Sequence, residues 1–346
     1  MSVLTEASPT TYAPHPLRHA GIAGLGMYVP EQVVTNAEIA KRVDTSDEWI
    51  ASRTGIRERR VTRPDEASSD LALLACRQAL EDAQVDPAEL DLVLCATATG
   101  DYVWPATACI LQDTLGAKKA GAFDLSAACS GFCYGLATAT GFIQSGMMEK
   151  VLVVGVDTLT KHLNWDDRST CILFGDGAGA AVLTPCAPDE GILSSVLRAD
   201  GSGLKSVWLP IGGTRTPITS DLLESGQNCL QMQGKEVYRF AVEIVPDIIQ
   251  EALDRACLKP SDISLLVMHQ ANIKILQSAA KRFGISMDKV AVNGDRYGNT
   301  SAASIPLALR ESADQQRLHR GDIVVTVGFG AGLTWGANVI RWNRDY

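Results

Sequence analysis

The 346-residue sequence has no apolar run near the roughly 18 residues a membrane-spanning helix needs, which excludes a transmembrane helix. It also lacks an excess of positive charge. The net charge of −9 argues against nonspecific nucleic-acid binding, so an acidic partner would have to meet a local basic patch. None of the nine cysteines stands in a CxxC pair, and the number is odd, which disfavours a disulfide framework or a zinc knuckle. The first 18 residues, MSVLTEASPTTYAPHPLR, have neither a basic leader nor an apolar stretch and read as a mobile tail. Together these absences favour a reduced, cytoplasmic setting, with no membrane or nucleic-acid partner.

What the chain does have is ordinary globular composition, 46% hydrophobic and 21% charged, enough to bury a sizeable core. Nearly continuous apolar runs at 91–99, 150–158, 263–270 and 322–330 read as strands buried on both faces. Between them, Leu73, Cys76, Leu80 and Ala83, and again Ile249, Leu253 and Ala256, recur at helical spacing. This alternation predicts an α/β fold. ALEDAQVDPAELDLVL (79–94) laid on ALDRACLKPSDISLLV (252–267) keeps Ala79/Ala252, Leu80/Leu253, Ala83/Ala256, Pro87/Pro260 and Leu92/Leu265 in register at an offset of 173, half of 346. The strands at 150–158 and 322–330 repeat at 172, and those led by Gly21 and Gly191 at 170. Two similar α/β halves, 19–190 and 191–346, are therefore expected to meet near Pro188 to Gly191. The stretch 199–234 has no counterpart and reads as a loop-rich insertion.

Cys129 falls in GAFDLSAACSGFCYGLATATGFIQSG (121–146), at the elbow between a strand and a helix. Unpaired N–H groups and the positive end of the helix dipole are expected to lower its pKa there, and its small neighbours let a substrate approach. Cys133, one turn on, reads as packing. His269 ends the buried strand of the second half, where α/β sheets place ligands, and its positional twin is Ala96. Asn299 sits in the elbow of the second half, and subtracting 173 puts its twin at 126, near Cys129. FGDGAGAAV (174–182) matches a loose dinucleotide pattern but opens no helix, so the phosphate-cradle reading fails. Gly330, Ala331 and Gly332 can bring backbone N–H groups to a reactive carbonyl. The arginine-rich RTGIRERRVTR (53–63), and Lys274, Lys281 and Arg282 after His269, are candidate docking surfaces for phosphate or an acidic partner.

The motifs DTSDEWI followed by RTGIRER (44–59), the AAC elbow, GDGAGAAVL (175–183), HQAN (269–272), GNTSAAS (298–304) and FGAGLTWG (329–336) stand in the order and spacing of one family. From about residue 20 to 342 the chain resembles the β-ketoacyl-acyl-carrier-protein synthase III family of thiolase-superfamily condensing enzymes. The resemblance implies a duplicated thiolase-like fold packed in five layers and a homodimer. It implies a catalytic triad of Cys129, His269 and Asn299, with Trp49 and Arg168 bracketing the coenzyme A adenine and Thr45, Arg53 and Asn272 lining the pantetheine approach. It further implies that Lys274, Lys281 and Arg282 receive an acidic carrier protein and that Trp104 closes the acyl pocket across the dimer interface. The sequence departs from the family where an arginine usually follows HQAN, here Lys274, and where a triple glycine here reads Gly330-Ala331-Gly332.

The implied chemistry starts with a Cys129 thiolate attacking an acyl-CoA, the N–H groups of Cys129 and Ala331 holding the oxyanion. Malonyl-acyl-carrier protein then enters, and His269, through Nε2, and Asn299 donate to its thioester oxygen during decarboxylation. Acyl-CoA is a substrate, and no metal or other cofactor is required. Trp104 suggests a short primer, acetyl-CoA first. The rival expectations are a related acyltransferase priming polyketide or other secondary metabolism, a Cys-His-Asn hydrolase, and a nonenzymatic nucleotide-binding module.

Overall fold

The computed structural model describes residues 18–346, so all but Arg18 of the expected tail lies outside the described residues. Two sheets organise the chain. The first holds β1 (His19–Tyr28), β2 (Leu92–Ala96), β3 (Gly121–Leu125), β4 (Val151–Asp157) and β5 (Gly177–Cys186), in the order β1-β5-β4-β2-β3. The second holds β6 (Gly191–Ala199), β7 (Leu265–Met268), β8 (Ile323–Gly330) and β9 (Thr334–Arg341), in the order β7-β8-β9-β6. In each sheet the central parallel pair, β2 with β4 and β7 with β8, is followed by two antiparallel neighbours. A single parallel bridge from Leu266 to Val290 stands where β3 flanks β2. The sequence repeat is thus a repeat of pairing, and β2, β4, β7 and β8 are buried along their whole length because helices cover both faces.

The helices make the other layers. Helices α2 (Ser68–Ala83) and α3 (Thr107–Leu115) cover the outer face of the first sheet, while α5 (Gly234–Arg255) covers that of the second, with α6 (Ile273–Phe283) packed beside it. Between the sheets lie α4 (Gly131–Gln144) and α7 (Ser304–Asp314), each touching strands of both. The result is five layers, α-β-α-β-α. Phe132, Leu136, Ile305 and Leu309 from the two central helices join Leu94, Val153, Val267 and Val324 from both sheets in one core. Gly155 lets the second half come close: a Cβ there would stand 2.4 Å from the Ala302 carbonyl oxygen. Only glycine leaves room for that approach.

The remaining helix that matters to the site is α1 (Asp47–Thr54), capped by the Ser46 hydroxyl and closed by Gly55 at φ 83°. No helix among the described residues is long and apolar enough to cross a membrane.

Candidate active site

The nucleophile elbow forms where β3 runs out. Ala128–Ser130 make one tight 3-10 turn, and Gly131 begins α4, so Cys129 sits at the amino end of a helix. The opposite elbow copies it: Ser301–Ala303 make the turn and Ser304 begins α7, each 173 residues on. The positional twin of Cys129 is therefore Ala302, and Asn299 lies just before its own turn. The Cys129 and Ala331 N–H groups have no backbone partner, and Gly330 packs so closely that a Cβ on it would lie 2.9 Å from the Cys129 Cβ and 3.0 Å from its Sγ. Two free donors thus stand beside a thiol, the arrangement an oxyanion needs.

Burial decides the resting state of that thiol. Enclosure pushes Cys129 up to about 12, the nearby Asp157 carboxylate adds to the rise, and a contact with the Ser301 side chain opposes it. The expectation that the helix end would lower this pKa is overturned: desolvation of a thiolate outweighs the dipole here. His269 is 1% exposed, and burial brings it down to about 3, so its imidazole is neutral. Its Nδ1 lies 2.6 Å from the Ser304 hydroxyl, and its ring meets Phe329 edge-on at 5.2 Å. Asn299 accepts from the Ser301 N–H through Oδ1 at 2.9 Å, which fixes the amide and leaves its NH₂ without a protein partner. Cys133 is buried with its Sγ 3.8 Å from the Thr326 hydroxyl, in keeping with packing.

Cys129, His269, Asn299, Phe329 and Ala331 share the wall of a cavity of about 610 Å³, which is also lined by Trp49, Arg53, Asn272 and Lys274. A smaller cavity of about 130 Å³ opens from Cys129 in another direction, walled by Leu159, His162, Phe174, Trp208, Leu209 and Leu230. The sequence reading missed this second wall. Its only signal was the unmatched 199–234 insertion, whose short strands Val207–Trp208 and Gln231–Met232 pair and supply much of the lining.

Other expected positions fall differently. Trp49 carries Arg53 on its ring at 4.8 Å and Arg168 at 4.9 Å. An adenine between Trp49 and Arg168 needs about 7 Å, two van der Waals separations, so that stack must open to take one. The Thr45 hydroxyl is buried without a partner, and neither Thr45 nor Arg168 is on the wall of the large cavity. The Asn272 side chain is spent on structure, capping α6 by accepting from Lys274 N and donating to the Arg53 carbonyl at 3.0 Å. Trp104 is 82% exposed and lines neither cavity, and Lys281 and Arg282 lie further along α6.

The arginine-rich stretch is not one docking face. Arg59 is fully buried, donating to Asn36 Oδ1 at 2.9 Å, Val34 O at 3.1 Å and Ile172 O at 2.8 Å, while Arg57 pairs with Asp47. Only Arg53 of that run faces the large cavity. Among the described residues no group of three or more His, Cys, Asp or Glu is placed to hold a metal ion.

Two family models match, 3-oxoacyl-[acyl-carrier-protein] synthase III over residues 123–201 and its C-terminal part over 253–342. The β-ketoacyl-acyl-carrier-protein synthase III of Symbiobacterium thermophilum is 52% identical, the alignment covering 95% of this chain and 99% of that one. The chain belongs to the β-ketoacyl-acyl-carrier-protein synthase III family. It is accordingly an acyl-transferring condensing enzyme with the duplicated thiolase-like fold. Among solved synthase III structures, that from Aquifex aeolicus superposes with a TM-score of 0.86 at 42% identity, covering 93% of this chain and all of that one. The priming β-ketosynthase of a polyketide pathway superposes at 0.90 but is 38% identical, over 98% of this chain and all of that one. Sequence identity thus sides with the synthase III relatives and does not favour the polyketide-priming alternative.

Proposed function

We propose that this synthase III starts fatty acid synthesis by joining a short acyl-CoA, acetyl-CoA first, to malonyl-acyl-carrier protein through an acyl group on Cys129. The observation that carries the reading is the convergence of Cys129, His269, Asn299 and two unpartnered peptide N–H groups on one cavity. In the first half-reaction the Cys129 sulfur attacks the acyl-CoA carbonyl, the oxyanion rests on the Cys129 and Ala331 N–H groups, and coenzyme A departs with the thiol proton. Because the thiol is neutral at rest, its proton leaves as the carbon–sulfur bond forms, and the helix end favours the charge only as it develops.

In the second half-reaction the malonyl carboxylate leaves as carbon dioxide, and the electron pair of the broken bond forms an enolate. Its oxygen accepts from the Asn299 NH₂ and from Nε2–H of His269. A neutral His269 has one ring N–H, and for Nε2 to carry it the Ser304 hydroxyl donates to Nδ1. The carbanion attacks the acyl-Cys129 carbonyl, the new carbon–carbon bond forms, and the released thiolate takes a proton from solvent. This chemistry calls on no metal or redox group.

Trp49, Arg53 and Arg168 are assigned to coenzyme A, Thr45 and Asn272 to shaping the approach, and Lys274, Lys281 and Arg282 to the acidic carrier protein. A homodimer is part of the reading. Tyr102, Val103 and Trp104 are exposed in sequence beside the open edge of β3, a surface suited to a second copy that would bring Trp104 to the acyl cavity. Division into halves at 190/191 and a cytoplasmic location complete it. Purified enzyme given acetyl-CoA and malonyl-acyl-carrier protein should release 3-ketoacyl-carrier protein; failure with every short primer would refute the reading.

A further inference from the structure

The small cavity beside Cys129 is apolar except at one place. Leu159, Phe174, Val207, Leu209 and Leu230 supply most of its surface. Thr99 is spent, donating to Asp157 Oδ1 at 3.0 Å, and the Ser301 side chain is engaged with Cys129 and Asp157. The Trp208 ring carries the Lys205 ammonium at 5.7 Å. His162 is different. It ends the turn after β4, its carbonyl is held by the Leu230 N–H at 2.7 Å, and its ring nitrogens make no hydrogen bond to the described residues. Burial keeps its imidazole below the ordinary histidine range, against the pull of Asp157 and Asp176, so it stands as a neutral donor and acceptor.

At about 30 Å³ per water-sized group, 130 Å³ holds roughly four such groups. An acetyl methyl uses one and leaves space for water on the imidazole. An alkyl chain of four carbons fills the cavity and strips that water away, leaving a polar group unpaired, which is the costly outcome. A chain of the same length with a hydroxyl or carbonyl oxygen replaces the water's hydrogen bond.

We infer that His162 sets the primer choice of this enzyme: it admits acetyl groups, rejects unsubstituted alkyl chains long enough to reach it, and accepts chains of that length that carry an oxygen. The inference rests on the assignment of Cys129 as the acylated residue. His162 touches no reacting atom in this scheme and acts only on what fits beside the thiol.

The test follows acylation of Cys129 by intact-protein and peptide mass spectrometry, with acetyl-CoA, butyryl-CoA and 3-hydroxybutyryl-CoA offered separately to wild type, His162→Leu and His162→Gln. Wild type is expected to take acetyl and 3-hydroxybutyryl groups at least about tenfold faster than butyryl, the size of one lost hydrogen bond. His162→Leu should raise the butyryl rate about tenfold and leave acetyl within about threefold, and His162→Gln, which keeps a donor and an acceptor, should behave as wild type. Acylation of Cys129 with a butyryl-to-acetyl ratio that is the same in wild type and His162→Leu overturns the role of His162 alone. No label on Cys129 from any of the three overturns the nucleophile assignment, and this inference with it. The wild-type primer ratio needs no variant to fold.

Discussion

Ala128 and Ser301, 173 residues apart, both hold left-handed backbone, with φ of 45° and 51°. Neither is glycine, so each carries strain that surrounding structure must overcome. Each stands at the first residue of its 3-10 turn, and Cys129 and Ala302 follow at the same place in the two elbows. One duplicated turn thus presents a nucleophile in the first half, while in the second the residue two before it, Asn299, faces the same cavity.

Cys129→Ser should abolish the acyl-enzyme seen by mass spectrometry after incubation with acetyl-CoA. His269→Ala and Asn299→Asp should keep acylation and lose malonyl decarboxylation by at least about 100-fold, since both act on the enolate oxygen. Equal loss of both half-reactions in either variant would refute the division of roles.

Gly330→Ala places a methyl 2.9 Å from Cys129 Cβ and 3.0 Å from Sγ. The thiol must shift away from the two peptide donors, and condensation is expected to fall by about 100-fold or more, the loss seen when an oxyanion donor is misplaced. A thermal melt close to wild type would separate this from misfolding. Undiminished turnover would show that the donors are not used.

The pH dependence follows from burial of the thiol. With Cys129 held up at about 12, alkylation by iodoacetamide should climb roughly tenfold per pH unit from 6 to 10, following the thiolate fraction. His269, brought down to about 3, should contribute no inflection between pH 5 and 7. A plateau near neutrality would mean that the helix end wins over desolvation after all.

Arg59→Leu strands the Asn36 Oδ1 and the Ile172 carbonyl, both buried acceptors that the guanidinium now fills. Unfolding stability should drop by roughly 3 kcal/mol. Because Asn36 also donates to Asp47 at the start of α1, and Ile172 lines the large cavity, the KM for acyl-CoA should rise more than kcat falls. A variant with wild-type melting and KM would show that this buried charge carries no weight.

Val103→Glu puts a charge on a side chain that is 87% exposed in a single chain, between Tyr102 and Trp104. If a second copy covers that patch, sedimentation should show a dimer for wild type and a shift toward monomer for the variant, with activity lost alongside. A wild-type protein that sediments as a monomer would refute the homodimer.

The duplicated fold was legible because each half must bury the same faces, so Ala79/Ala252 and Leu92/Leu265 keep their apolar character in register. The elbow at Cys129 was legible for a related reason, since small residues crowd where a strand turns into a helix. The thiol's resting state was not, because a pKa sums over everything packed around a group, and helix position is one part of that sum. Arg59 hid in a charge run because Glu58–Arg60 is a strand of three residues, too short for its inward middle residue to show as alternation. Asn272 was read as pocket lining and proves to be also a helix cap, a role set by α6 beginning at Ile273. His162 and Leu230 drew no notice because they meet only through the folding of an unmatched insertion.

Cys129 belongs to both cavities at once, and this imposes an order of traffic. An acyl group parked in the small chamber leaves the large one free, yet coenzyme A and the carrier protein's arm must use that same large entrance in turn. The first product has to clear the doorway before the second substrate can be admitted. Such an enzyme works as a turnstile: its steady-state kinetics are ping-pong, and free coenzyme A competes with malonyl-acyl-carrier protein for the acylated form.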